Sequence, residues 1–309
     1  MKKLAQFYID DVIFVFRDIT KQKPKSIFDH PFLKELKGAH DKYGLKVQLN
    51  CFYKMSFFYG RNDFDLSMMP DTYKDEWEKN SDWLKLSFHA QEEFPDYPYV
   101  NADYDLVRDN YVTLTNEVKR FAGEKSLAAF VLPHWAPMSK EGVTALRDLG
   151  VKVTYATYGE KVYDYNGEQD LLPYGHSFRF LHNRKKETST FIRKTRDKAI
   201  QRSICGYNHI TEEEFNKVFG KATTHLDKET GMRYGVACGI VLNLTPIEEI
   251  EESLDKLIGN ENITVATHEQ YFYPDYYAYQ KDYAEKTYKM SEILHKNGYE
   301  FCFVEDLVK

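Results

Sequence analysis

The chain has 309 residues, 42% of them hydrophobic, enough for a large core within one sizeable domain. Lys and Arg number 42 against 48 Asp and Glu. The net charge of −6 excludes a global field that would draw in nucleic acid or an anionic membrane. Two lysines open the sequence, but Gln6 and Asp10 interrupt any apolar run behind them. No stretch approaches the ~18 apolar residues of a membrane span, so a soluble, cytoplasmic protein is expected. The four cysteines, at 51, 205, 238 and 302, form no C-x-x-C pair and read as buried reduced thiols.

Residues 4–9 read as a short buried strand ended by Asp10 and Asp11. Pro31 suits the first turn of a helix whose apolar face is Phe32, Leu33 and Leu36, and Gly44 closes it. Residues 45–53 alternate with period two, as a second strand does. A long loop is expected over 56–80, with one short helix near 73–79. Residues 83–88 form a third strand ending at His89. Tyr104, Val107, Tyr111, Leu114, Val118 and Phe121 then recur at helical spacing over 103–121.

The continuous apolar run 127–132 suits a strand buried on both faces, and it ends at Pro133, His134 and Trp135. Ser139 caps a helix over 140–149, Gly150 stops it, and 151–155 is the next strand. Residues 158–235 break this rhythm. Turn signals at 164–167 and 173–175 and a basic run over 184–202 suggest an insertion, partly antiparallel, with a short helix near 212–219. The basic run reads as a solvated face before a phosphate site. The rhythm resumes with a strand at 236–242, a helix at 247–257 opened by Thr245 and Pro246, a strand at 263–267 ending at His268 and Glu269, a helix at 276–296 and a closing strand at 299–304. Alternation of this kind favours a parallel sheet covered by helices.

Four strands thus end in chemistry-bearing residues, and in a barrel the loops after the strands build the active site. Adjacent carboxylates at a strand end point in different directions, so one of Asp10 and Asp11 can hold a cation while the other faces substrate; the pair also suits a turn or a helix cap. His89 and Glu93 are spaced i, i+4, which on a helix places two ligands on one face, with Glu92 as a rival. One imidazole and two carboxylates would accept zinc, manganese, cobalt or nickel. His134 and Trp135 form either a pocket wall or a rigid packed turn. His268 is placed to donate a proton near neutral pH, or simply to bond a carboxylate such as Glu269.

In this order the motifs resemble the polysaccharide deacetylase family. Ile9-Asp10-Asp11 is similar to its first motif. His89-Ala-Gln-Glu-Glu93 resembles its His-x-x-x-His motif, with Glu at the second ligand. Leu132-Pro133-His134-Trp135 stands where the family has a wall-forming Arg-x-Pro, without the Arg. Ala266-Thr267-His268 resembles its closing Leu-x-His. The resemblance runs from about residue 4 to residue 307, with 158–235 unmatched.

It implies an α/β fold, a distorted (β/α)7 barrel, spanning 1–309 as one domain with the insertion at about 158–235. It further implies metal-dependent hydrolysis of an amide or N-acetyl C–N bond. Asp11, His89 and Glu93 would hold a divalent metal, zinc first. Asp10 would be the base and His268 the acid, with His134, Trp135 and Glu269 against the substrate. The expected partner is a small-molecule or carbohydrate substrate, with no nucleic acid or membrane, and homo-oligomerisation stays open. The alternatives are a ligand-binding barrel without catalysis and a glycosidase using Asp10 and Glu269 as its carboxylate pair.

Overall fold

The computed structural model describes residues 2–55, 63–94, 98–99, 101–136, 138–156, 162–163, 204–205 and 209–308. The basic run at 184–202 and the turn signals at 164–167 and 173–175 lie outside them. In chain order the elements are β1 (Lys3–Val12), α1 (Phe14–Gln22), α2 (Pro31–Tyr43), β2 (Val47–Phe52), α3 (Lys74–Lys79), β3 (Leu84–Ala90) and α4 (Tyr104–Phe121). Next come β4 (Phe130–Val131), α5 (Lys140–Asp148), β5 (Val153–Tyr155), the antiparallel pair β6 (Val162–Tyr163) and β7 (Ile204–Cys205), and α6 (Glu212–Val218). The chain closes with β8 (His225–Leu226), β9 (Arg233–Gly235), β10 (Gly239–Val241), α7 (Ile250–Asp255), β11 (Asn262–His268), α8 (Tyr283–Lys296) and β12 (Tyr299–Phe301).

The strands form a distorted (β/α) barrel. β11, β1, β2 and β3 lie side by side and parallel. An isolated parallel bridge, Leu86 to Leu127, joins β3 to the segment entering β4, which pairs with β5. Residues 233–241 act as one stave with two partners. Its first part, β9, pairs in parallel with β5, and its last part, β10, pairs in parallel with β11. That shared stave brings the ring to seven positions among the described residues. β12 adds alongside the first residues of β1, and β8 and β9 form an antiparallel hairpin within the expected insertion.

Both faces of the sheet are covered, and the period of two decides which side chain goes where. From β1, Ala5, Phe7 and Ile9 join the core under the helices, as do Leu49 and Cys51 of β2, Leu84, Leu86 and Phe88 of β3, and Ile263 and Val265 of β11. Tyr8, Phe130, Leu132, Val153, Tyr155, Ala266 and Val304 form a second cluster inside the ring. Tyr8, Phe130 and Tyr155 meet there with centroids 4.7–6.3 Å apart. Filling of this kind makes the barrel a packed core, not a pore. At the end away from the strand tips, Glu305 accepts from Lys85 at 2.7 Å and from the amide of Phe130 at 3.1 Å.

Several expected boundaries move. The helix placed at 276–296 begins at Tyr283, because 3-10 and turn structure occupies the stretch before it. The run 127–132 contributes only two ladder residues as β4. The helix expected over 247–257 divides into a 3-10 turn, Ile247–Glu249, and α7. The helix starts at Pro31 and after Ser139 stand where expected, and the Ser139 side chain accepts from the amide of Gly142. Among the described residues no helix is long and apolar enough to cross a membrane.

α1 was not foreseen, and the reason is physical. Ile13 at its N-cap has no side-chain acceptor. The cap comes from Glu269, more than 250 positions away. Its Oε2 accepts the amides of Ile13 and Phe14 at 2.7 and 2.8 Å, and its Oε1 accepts that of Val15 at 2.7 Å. The Tyr273 hydroxyl adds a fourth donor at 3.1 Å. A carboxylate at a helix start meets both the unpaired amides and the positive end of the dipole.

Glu269→Ala should therefore leave four buried donors unmet, three amides and the Tyr273 hydroxyl, and cost about 3–5 kcal/mol. Guanidinium denaturation of the variant checks this, and a loss below about 1 kcal/mol would contradict the role.

Candidate functional site

The described side chains converge where the strands end. In a regular strand Asp10 and Asp11 would lie on opposite faces. Here the β1–β2 register slips between Ile9 and Val12, and Asp11 sits at φ +62°, in the left-handed region. The bulge re-aims the second carboxylate, so that both line one cavity of about 320 Å³. A non-glycine residue in that region costs energy and commonly marks a functional site. Gln270 donates to Asp11 Oδ2 at 2.9 Å and helps hold the turn.

Asp11 Oδ1 lies 3.2 Å from His89 Nε2 and 3.3 Å from His134 Nδ1, and those two nitrogens are 3.1 Å apart. The far nitrogens fix the ring states. His89 Nδ1 faces the Leu132 carbonyl at 2.6 Å and His134 Nε2 faces the Glu93 carbonyl at 3.1 Å. Each must donate there, so in the neutral tautomers each ring turns a lone pair toward Asp11. Three lone pairs then face one another, and in those tautomers Asp11 Oδ1 has no hydrogen-bond donor. Donors each about 2.0–2.2 Å from one cation would lie roughly 3.0–3.4 Å apart, so the triangle fits a divalent metal. All three residues are buried, and their ligand atoms lie within 4.8 Å of one another.

Without a cation, the cluster draws a proton onto His89 in its place. Burial opposes ionisation of Asp11, but His134 and His89 hold its carboxyl well below the ordinary range. Burial pushes His89 down, yet the Asp10 and Asp11 carboxylates raise it above the ordinary imidazole value. Burial lowers His134. Burial raises Asp10, outweighing the attraction of His89 and His268.

Three expected placements change. Glu93 is not among the described residues of the triad. β3 continues through Ala90 and then bends instead of starting a helix, so the i, i+4 spacing never puts His89 and Glu93 on one face. Glu93 instead lines the cavity, and its backbone carbonyl orients His134. His134, expected as a wall, joins Asp11 and His89 in the triangle instead. Nothing local in the sequence marks it, since β3 and β4 must be neighbours first; the His134 amide donates to the His89 carbonyl at 3.0 Å. Glu269, expected against substrate, is fully buried with both oxygens engaged in the α1 cap. Burial lifts its carboxyl to about 7, against the pull of its four donors. The same engagement removes it from any glycosidase pair with Asp10.

His268 and Trp135 line the cavity. His268 Nδ1 faces Asn243 Oδ1 at 2.9 Å, and its Nε2 is 4.0 Å from Asp11 Oδ2. Trp135 and Ala136 have φ of +67° and +74°, a tight turn that presents both at the cavity wall. Leu244 and Tyr271 line it as well. Asn50, Asn243 and Gln270 escaped the sequence reading, because an amide carries no motif and shows its role only through the partner it meets.

No family profile and no curated protein matches the chain. Among solved structures, the chain is similar to the 4-alpha-glucanotransferase of Thermococcus litoralis, with TM-score 0.53 and 11% identity over 99% of this chain and 40% of that one. It is also similar to a mutant, with restored activity, of a CE4 family pseudoenzyme from Bacillus anthracis, at TM-score 0.47, 10% identity, and 99% and 67% of the two chains. A family 4 acetyl xylan esterase from Clostridium thermocellum, solved with cobalt, gives TM-score 0.44, 11% identity, and 99% and 90%. At these identities the likeness concerns the fold alone.

Zinc titration of the metal-free protein should give one site that His134→Ala weakens by about 100-fold or more and that Glu93→Gln leaves intact. The reverse pattern would restore Glu93 as the ligand. Binding must displace a proton from His89, so affinity should climb with pH through the His89 titration, above about 6.5.

Proposed function

We propose that the chain is a metal-dependent hydrolase of amide or N-acetyl C–N bonds in a small or soluble substrate. The observation that carries this reading is the triangle of Asp11, His89 and His134 donors beside the carboxylate of Asp10 in one cavity. The order of motifs along the sequence supports it.

Asp11, His89 and His134 would hold a divalent cation, with zinc as the first candidate and manganese, cobalt or nickel as alternatives. Such an ion, when bound, supplies Lewis acidity toward an amide carbonyl and acidifies a water. Asp10 takes the proton from the attacking water. Its burial favours that uptake, because the charged form is poorly solvated. His268, held at Nδ1 by Asn243, presents Nε2 toward the cavity and delivers a proton to the departing amine. Trp135, Leu244 and Tyr271 exclude water from around the substrate. The cavity volume suits a small molecule or the end of a chain.

Zinc-loaded protein should release acetate from members of a panel of small N-acetylated amines. Asp10→Asn and His268→Ala should each lower kcat by about 100-fold to 10,000-fold while zinc stoichiometry stays at one. A purified protein that takes up no metal and cleaves no member of the panel would point instead to a barrel that binds its ligand without cleaving it, and an Asp10→Asn variant with full activity would remove Asp10 as the base.

A further inference from the structure

Asp10 lies at the end of a directed chain of buried amides. The Phe130 carbonyl can only accept, so the Gln48 atom 3.3 Å from it is the amide nitrogen. That same nitrogen is 2.7 Å from the Asn50 side chain, which must therefore offer its oxygen. The Asn50 nitrogen is then left to face Asp10 Oδ1, at 2.6 Å. Gln48 and Asn50 are both buried, and Asn50 is wholly inaccessible. Ser87 also donates to the Phe130 carbonyl, at 2.7 Å, fixing the anchor of the chain. A backbone group three links away thus decides which way the Asn50 amide points.

We infer that Asn50, locked by Gln48, is the positioning residue of the base: it occupies Oδ1 of Asp10 and leaves Oδ2 as the oxygen that takes the proton. This rests on the reading of Asp10 as the proton acceptor. An amide donor at Oδ1 holds the carboxylate beside the Asp11 triangle, and a short bond there makes Oδ2 the more basic oxygen and so the place for the arriving proton. The neighbouring amides complete the arrangement without bringing a second charge into the barrel. Positioning of this kind is worth about 100-fold in rate when lost.

The test compares Asn50→Leu and Gln48→Met in two backgrounds, wild type and Asp10→Asn, using zinc-loaded protein and 4-nitroacetanilide. In the wild-type background Asn50→Leu should lower kcat by about 100-fold and Gln48→Met by about 10-fold, with KM and zinc stoichiometry within about twofold. In the Asp10→Asn background neither should lower the residual rate further. Equal losses in both backgrounds, or no loss in either, overturns the inference. Should Asn50→Leu fail to fold, Gln48→Met decides by the same comparison. The nitrogen-15 spectrum gives a readout independent of turnover. The Asn50 side-chain amide should show protons protected from exchange in the wild type, and Gln48→Met should remove that protection; rapid exchange in the wild type overturns the inference. Failure of the broader reading looks different. No hydrolysis by the wild type overturns the hydrolase assignment, full hydrolysis by Asp10→Asn overturns the role of Asp10 as the base, and either takes this inference with it, whereas hydrolysis that needs Asp10 but not Asn50 overturns this inference alone.

Discussion

The carboxylate of Glu269 is the joint on which the candidate site depends. It follows His268 at the end of β11 and binds the first amides of α1, which begins two residues after the Asp10–Asp11 pair. One buried carboxylate therefore ties together the two strand ends that carry Asp10 and His268. The neighbouring Gln270 reaches back to Asp11 Oδ2 and makes the tie double. The helix gains its missing acceptor, and the carboxylate gains donors that replace its lost hydration. The strained φ of Asp11 sits within this clamp, where surrounding bonds hold a conformation that the chain alone would relax.

The barrel interior changes character along its axis. Near the closed end, Glu305 and Lys85 pair beneath the ring formed by Tyr8, Phe130 and Tyr155. Toward the strand tips come Gln48, Asn50 and Ser87, and then Asp10, Asp11 and the histidines. Each step upward adds polar groups, and Gln48, Asn50 and Asp10 are hydrogen-bonded one to the next. This gradient places the Asp11 carboxylate and the His89 and His134 imidazoles within 3.3 Å of one another at the strand tips. Their far atoms are occupied by carbonyls or amides, so their near atoms are left facing one another.

His134 shows how a ligand can be recruited across strands. On paper the partner of His89 should lie one helical turn away, and Glu93 has that spacing. The chain after Phe88 stays extended instead, and the neighbouring strand supplies the second imidazole. Glu93 retains a place through its backbone, which fixes the His134 tautomer. Both residues thus serve the site, in roles opposite to those their types and spacing suggest.

The strands and helices with local signals were legible in the sequence, because a period of two, a period of 3.6, Pro31 and Ser139 act over a few residues. The candidates Asp10, Asp11, His89 and His268 were legible too, since strand ends can be found locally and barrels place their chemistry there. What the sequence left undetermined is whatever needs two distant segments to meet. The α1 cap is supplied from more than 250 positions away, the seventh stave pairs with β5 on one side and β11 on the other, and the third donor of the triangle belongs to a different strand from the first two. Amides such as Asn50 and Asn243 are silent in a sequence because their chemistry is set by orientation. Periodicity and residue type were properties of the chain itself. Tautomers, amide directions and the ligand set came from hydrogen-bond partners that only the closed barrel brings within 3 Å or so.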